Sequence, residues 1–152
     1  MKIDLNYKYR SAGITLLELL VAVAIVGVLG SIAYPSYLDY VTRTHRSTAK
    51  SMLLQVADRQ EQFFGDNKQY AADLTLLGYG ENGFMIDKQG AQVPAGDALR
   101  TYAVFLTDVT ATTFTVNAAP EMHQAARDLD CQTLTLTHAG QRGQTGIGPN
   151  CW

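Results

Sequence analysis

The spacing of apolar and polar positions changes character three times along this chain. Between Arg10 and Asp39 lie 28 residues in which Glu18 is the only charge, and the apolar run continues to about Ala33. A run of that length crosses a bilayer core of ~30 Å as a helix. Gly27, Gly30 and Pro35 then weaken the helical pattern. Beyond them Leu38, Val41, Ala49, Met52, Leu53, Val56 and Phe63 recur on broadly one helical face. The opposite side carries Asp39, Arg43, Arg46, Ser47, Lys50, Gln55, Asp58, Arg59 and Gln62, with Asp39 and Arg43 in the favoured acid-first order. The pattern predicts one kinked helix from about Ile14 to Phe64, ended by Gly65-Asp66-Asn67. Its length of roughly 75 Å exceeds the width of a domain this size, so the first half needs lipid or other copies to cover it.

After the helix the period shortens. Residues 66–99 mix Gly, Asn, Asp and Gln with one apolar stretch at 71–77, read as a helical turn or two inside a long loop. Tyr102, Val104 and Leu106 alternate with Ala103 and Phe105; Phe114 and Val116 alternate with threonines; Leu134 and Leu136 alternate with Thr133, Thr135 and Thr137. Three antiparallel strands are predicted, the first two joined around Asp108-Val109-Thr110. One face of that sheet would bury the second half of the helix, giving an α+β head. Gly140, Gly143, Gly146 and Gly148 make the last segment a loop.

Glu18 decides what the apolar run is for. A carboxylate in a bilayer core costs roughly 2.5–3.5 kcal/mol on insertion scales unless it is neutralised. Residues 1–13 hold Lys2, Lys8 and Arg10 against Asp4 and end in Ser11-Ala12-Gly13, a pattern that keeps this end cytoplasmic. Two processing sites are open. A secretory signal would be cut after the run, near Gly30-Ser31-Ile32-Ala33. A cut after Gly13 instead leaves the helix in place and frees an amine at Ile14, four residues from Glu18. An ammonium and a carboxylate on neighbouring helices then compensate each other where water is scarce.

Gly13-Ile14-Thr15-Leu16-Leu17-Glu18, the apolar run and Tyr34-Pro35-Ser36-Tyr37 resemble the amino terminus of type IV prepilins, which carry a class III signal. The resemblance is strongest over residues 11–64. It implies the type IV pilin fold, a long kinked helix packed on a small antiparallel sheet with a disulfide loop after it. It implies a leader, residues 1–13, removed by a prepilin peptidase, an N-methylated Ile14, and a Glu18 that pairs with the terminal amine of a neighbouring subunit. Residues 14–35 become the membrane and assembly helix, and residues 36–152 the exported head: amphipathic helix to about 64, loop 65–99, sheet and disulfide loop 100–152. The family usually has Phe where this chain has Ile14, a position at which the peptidase tolerates other residues. Gly27, Gly30 and Pro35 are read either as a plain kink or, as the resemblance implies, as a segment that melts when the subunit enters a filament. Tyr34, Tyr37 and Tyr40 suit the membrane–water boundary and filament packing equally.

The 152 residues suffice for one modest core. Removing residues 1–13 moves the net charge from −2 to −4, which argues against wholesale binding to nucleic acid. Cys131 and Cys151 are the only cysteines. In an exported chain an even count reads as one disulfide, with two buried thiols as the alternative. Cys-Gln-Thr-Leu-Thr-Leu from Cys131 and the closing Cys151-Trp152 resemble the minor pilins, the group that includes DNA-uptake pilins.

The chemistry of enzymes is not legible. His45, His123 and His138 fall in separate segments without metal-ligand spacing, Glu121 and His123 read as solvated loop residues beside Pro120, and no phosphate loop or nucleophile signature occurs. No cofactor or metal is expected. Arg43, His45, Arg46 and Lys50 form a basic cluster read as a solvated or headgroup-facing side of the helix. Arg127 and Arg142 are the candidate DNA contacts, offset by Glu121, Asp128 and Asp130. The sequence thus points to a pilin, minor rather than major, that serves pilus assembly, twitching motility, adhesion or DNA uptake. Its expected partners are other pilin subunits, the prepilin peptidase, the inner-membrane assembly platform and, before assembly, the lipid bilayer. It would start as a single-pass inner-membrane protein and finish in an extracellular filament. A DNA-uptake receptor and a type II secretion pseudopilin are the alternatives.

Overall fold

A computed structural model describes residues 13–152, and the leader expected at 1–13 lies outside the described residues except for Gly13. The chain divides between Leu38 and Asp39 into two compact units, each described here by itself. A single helix, α1 (Leu16–Asn67), contributes to both.

In the first unit α1 is helical throughout, Pro35 included. Proline has no N–H to donate, so the helix forgoes one backbone bond there. The side chains from Leu16 to Ile32 are exposed, and the segment is long and apolar enough to cross a membrane.

In the second unit α1 presents Ala49, Met52, Leu53, Val56 and Gln60 to the core. The sheet comprises β1 (Phe84–Ile86), β2 (Gln92–Val93), β3 (Tyr102–Thr107), β4 (Thr115–Pro120), β5 (Leu134–Thr137) and β6 (Arg142–Gln144). It is antiparallel throughout, in the order β2-β1-β3-β4-β5-β6. Its central pair runs from Tyr102 opposite Pro120 to Thr107 opposite Thr115. Phe84, Ile86, Tyr102, Val104, Val116, Ala118, Leu134 and Leu136 alternate onto the inner face and join the helix residues in one apolar cluster.

Four expectations are corrected. The sheet has six strands instead of three, because β1 and β2 form inside the stretch read as a loop at 65–99, and β6 forms in the glycine-rich final segment. At two or three residues each, these strands are held by their neighbours and have too little alternation to read. Glu121 and His123 belong to the start of a short helix, α2 (Met122–Arg127), not to a loop. Finally, Arg46 is not on a solvated face; it is half-buried and paired with the buried Asp128, and Arg43 Nε donates to the Asp39 carbonyl instead of pairing with its carboxylate.

The connection after α1 is tied down by polar contacts. Lys68 at φ 59° closes the helix, its N–H donating to the Phe64 carbonyl. The buried Gln60 amide bridges the backbone of Ala71, donating at 2.9 Å and accepting at 2.8 Å. A 3-10 turn at Leu74–Leu77 is capped by Asp73 and ended by Gly78 at φ 82°, a conformation glycine takes without strain. Arg59 donates to the Leu77 carbonyl at 2.7 Å and lies 4.5 Å from the Tyr79 ring centre.

Candidate functional site

The beginning of α1 is built by Thr15. Its hydroxyl accepts from the Glu18 N–H at 3.2 Å and its carbonyl from the Leu19 N–H at 3.1 Å, so Thr15 is the N-cap. Thr-x-x-Glu is a capping-box spacing, a signal in the sequence that the membrane reading of Glu18 overlooked. Glu18 therefore has a local reason to sit in the first turn, where the helix dipole favours negative charge. Its carboxylate nevertheless makes no hydrogen bond or ion pair among the described residues. Around it Leu16, Leu17 and Leu19 are exposed by 83%, 74% and 59%, so the charge stands on an uncovered apolar surface.

Gly27 and Gly30 face open space: a Cβ added at either position meets nothing within 4 Å. Packing within the chain gives no reason for glycine there. Any such reason comes from neighbours or from the backbone itself.

At the other end of the chain a disulfide joins Cys131 to Cys151, with Cα atoms 5.5 Å apart. The loop it closes is pressed onto residues 130–131. Gly146 N–H donates to the Cys131 carbonyl at 3.1 Å and Gly148 N–H to the Asp130 carbonyl at 2.7 Å. A Cβ at Gly146 would collide with the Asp130 carbonyl, so glycine is required by close approach. Between the two glycines Ile147 is fully exposed. Trp152 closes the edge of β6, its indole N–H donating to the Gly143 carbonyl at 2.6 Å. The Arg142 guanidinium lies 5.5 Å from the Trp152 ring centre and the Lys50 ammonium 6.0 Å from it. Burial is the main cause that lowers the Lys50 pKa; Arg46 and Arg142 add to it, and Asp128 opposes.

The two candidate DNA contacts are not brought into one site. Arg142 sits by Trp152, whereas Arg127, in the last turn of α2, lines a cleft with Asp39, Arg43 and Asp130. Two of the three acids thought to offset them are committed elsewhere, Asp128 to Arg46 and Glu121 to Arg100 at 3.4 Å, while Asp130 lines the Arg127 cleft. Lys50, read only as part of a helix face, is the cation that actually joins Arg142.

Comparison with known proteins settles the family. Residues 35–135 match the family described as "Type IV minor pilin ComP, DNA uptake sequence receptor", and residues 8–34 match the prokaryotic N-terminal methylation motif. The chain belongs to the type IV pilins. It is 34% identical to the type IV major pilin protein PilA of Myxococcus xanthus over 74 residues, 49% of this chain and 34% of that one. It is 35% identical to fimbrial protein EcpC of Eikenella corrodens over 47% of this chain and 46% of the relative. With the type IV major fimbrial protein FimA of Dichelobacter nodosus it shares 39% over 50% of this chain and 44% of the relative. These matches span less than half of each relative's length. A type IV pilin structure from Shewanella oneidensis is similar with a TM-score of 0.48 and 23% identity, covering 73% of this chain and 97% of that one.

In this pilin His45 and His138 lie in separate surroundings. His45 Nδ1 lies 3.1 Å from Gln124 Oε1, while His138 lies tilted against Tyr70 and edge-on to Phe114, each with ring centres 6.4 Å apart. Among the described residues no three His, Cys, Asp or Glu side chains converge as metal ligands. The family is one of structural pilins.

Proposed function

We propose that this pilin is a minor subunit of a type IV pilus that assembles through α1. The observation that carries the reading is Glu18: a carboxylate with no partner among the described residues, on an uncovered apolar helix inside a matched methylation motif. Cleavage after Gly13 frees the amine of Ile14, which is then methylated, a reading that the matched N-terminal methylation motif supports. A bilayer hides the apolar side chains at first, with the amino end cytoplasmic. The assembly platform then moves the helix from lipid into a bundle of like helices. There Glu18 of one subunit accepts the terminal ammonium of another, and neither charge stays uncompensated. Gly27, Gly30 and Pro35 supply backbone that gives up helical bonds at small cost during that transfer. The head, braced by its disulfide, faces outward.

Intact-mass measurement of the membrane-extracted protein tests the processing step. The expected chain begins at Ile14 and is one methyl group heavier than the unmodified sequence. A chain beginning after residue 33 would overturn the reading.

The matched family description favours one specialisation, DNA uptake. It is supported by the cluster of Lys50, Arg142 and Trp152, which combines two cations with an aromatic face. The purified pilin in detergent is expected to retard labelled duplex DNA at low salt and to release it steeply as salt rises. Binding unchanged in a Lys50→Ala, Arg142→Ala double variant would place the contact elsewhere.

A further inference from the structure

We propose that a cleft in the head, walled by α2, the β1–β2 turn and residues 98–101, binds the phosphate headgroup of an anionic membrane lipid. The cleft encloses about 410 Å³ and lies wholly within the unit Asp39–Trp152. Its walls combine two kinds of side chain. Lys88, His123 and Arg127 converge on it, and among the described residues none of the three side chains makes a hydrogen bond or ion pair. Leu99 and Met122, exposed by 68% and 45%, form an apolar wall beside them. Convergent cations next to uncovered apolar surface suit a ligand with a phosphate at one end and hydrocarbon at the other.

The remaining charges do not cancel this preference. Arg100 lines the cleft but is occupied by Glu121 Oε2 at 3.4 Å and the Asp97 carbonyl at 2.9 Å. The Asp87 carboxylate is spent inside its own turn, accepting from the Gln89 and Ala91 N–H groups at 2.9 Å each. Lys88 and Arg127 are left as the cations with open donors, Arg127 at the border with the neighbouring cleft that Asp39, Asp128 and Asp130 line without an ion pair to it. His45 also lines the cleft, its Nδ1 lying 3.1 Å from Gln124 Oε1.

Chain connectivity favours lipid over free phosphate. The apolar run ends near Ala33, twelve residues before His45, so covalent reach alone limits their separation to about 42 Å. Headgroups of the same membrane are the most concentrated phosphates in that range. The inference rests on the reading that α1 holds the subunit in a bilayer.

The test uses the full chain reconstituted into nanodiscs of phosphatidylcholine, with phosphatidylglycerol titrated in, and inorganic phosphate as the soluble probe. Recovery of the chain with phosphatidylcholine discs alone checks the anchor separately. If the chain is not recovered there, the membrane reading fails, not the cleft. Native mass spectrometry of released complexes then counts retained lipid. The expected result is preferential retention of phosphatidylglycerol, weakened about tenfold by Lys88→Ala and about tenfold again by Arg127→Ala. Arg43→Ala, a cation outside the cleft, should leave retention unchanged. Equal retention in wild type and the Lys88→Ala, Arg127→Ala variant would overturn the proposal. So would inorganic phosphate competing at the same concentration as the lipid, which would mark a site for free anions.

Discussion

Arg46 on α1 and Asp128 at the end of α2 form a two-pronged ion pair, Nε to Oδ2 at 3.2 Å and the terminal nitrogen to Oδ1 at 2.5 Å. Their side chains are 11% and 0% exposed. Tyr102 donates its hydroxyl proton to the same carboxylate at 2.9 Å, and Gln124 donates to Asp128 at 3.1 Å. A charge pair this dry holds because both carboxylate oxygens and two of the three guanidinium nitrogens are occupied. Asp128→Ala strands the guanidinium and is expected to cost about 3–5 kcal/mol, whereas Arg46→Met with Asp128→Leu should cost much less. Urea unfolding followed by the fluorescence of Trp152, the single tryptophan, measures both.

The buried tyrosines separate two kinds of hydroxyl. Tyr79 OH has no hydrogen-bond partner among the described residues, so Tyr79→Phe should be neutral or stabilising. Tyr102→Phe removes a bond to a carboxylate and should destabilise by about 1.5–3 kcal/mol. Opposite signs in the same unfolding assay are the expected outcome.

Alkaline stability follows from the same residues. Burial raises the pKa of Tyr70, Tyr79 and Tyr102, helped by Glu61 at Tyr70 and by Asp128 at Tyr102. Each therefore holds its proton longer folded than unfolded. Their contribution is complete below pH 10, the ordinary tyrosine value, and is lost as pH rises above it. Lys50, lowered by burial, acts in the opposite sense: its contribution grows as pH rises toward 10.5. Three groups against one give a net fall above pH 10, and Tyr102→Phe should flatten it. Thermal melts from pH 8 to 11 provide the measurement.

The disulfide and its glycines should be separable. The cross-link closes 20 residues of separation and is worth about 3 kcal/mol by chain entropy, so Cys131→Ser with Cys151→Ser should lose that amount. Gly146→Ala keeps the cross-link but collides with the backbone of Asp130 and Cys131. It is expected to release the loop, seen as faster amide exchange at Gly146 and Gly148.

What the sequence disclosed follows from the reach of each signal. The helical face at Ala49, Met52, Leu53 and Val56, and the alternation at Tyr102–Thr107 and Leu134–Thr137, repeat often enough to read. The strands β1, β2 and β6 do not, and α2 offers only six residues behind Pro120. Arg46 was misplaced for a different reason. Helical periodicity puts it on the polar side, and nothing local announces a carboxylate 82 residues away. Arg127 and Arg142 illustrate the same limit: proximity in sequence to acids said little about which acids were already taken.

The role proposed for Glu18 on its apolar helix is to neutralise an amine of a neighbouring subunit. It is tested most directly by the amount of Glu18→Ala protein in sheared filaments, relative to its amount in the membrane. Normal leader removal, normal membrane abundance and near-complete loss from filaments are expected. Glu18→Ala subunits entering filaments at the wild-type level would contradict it.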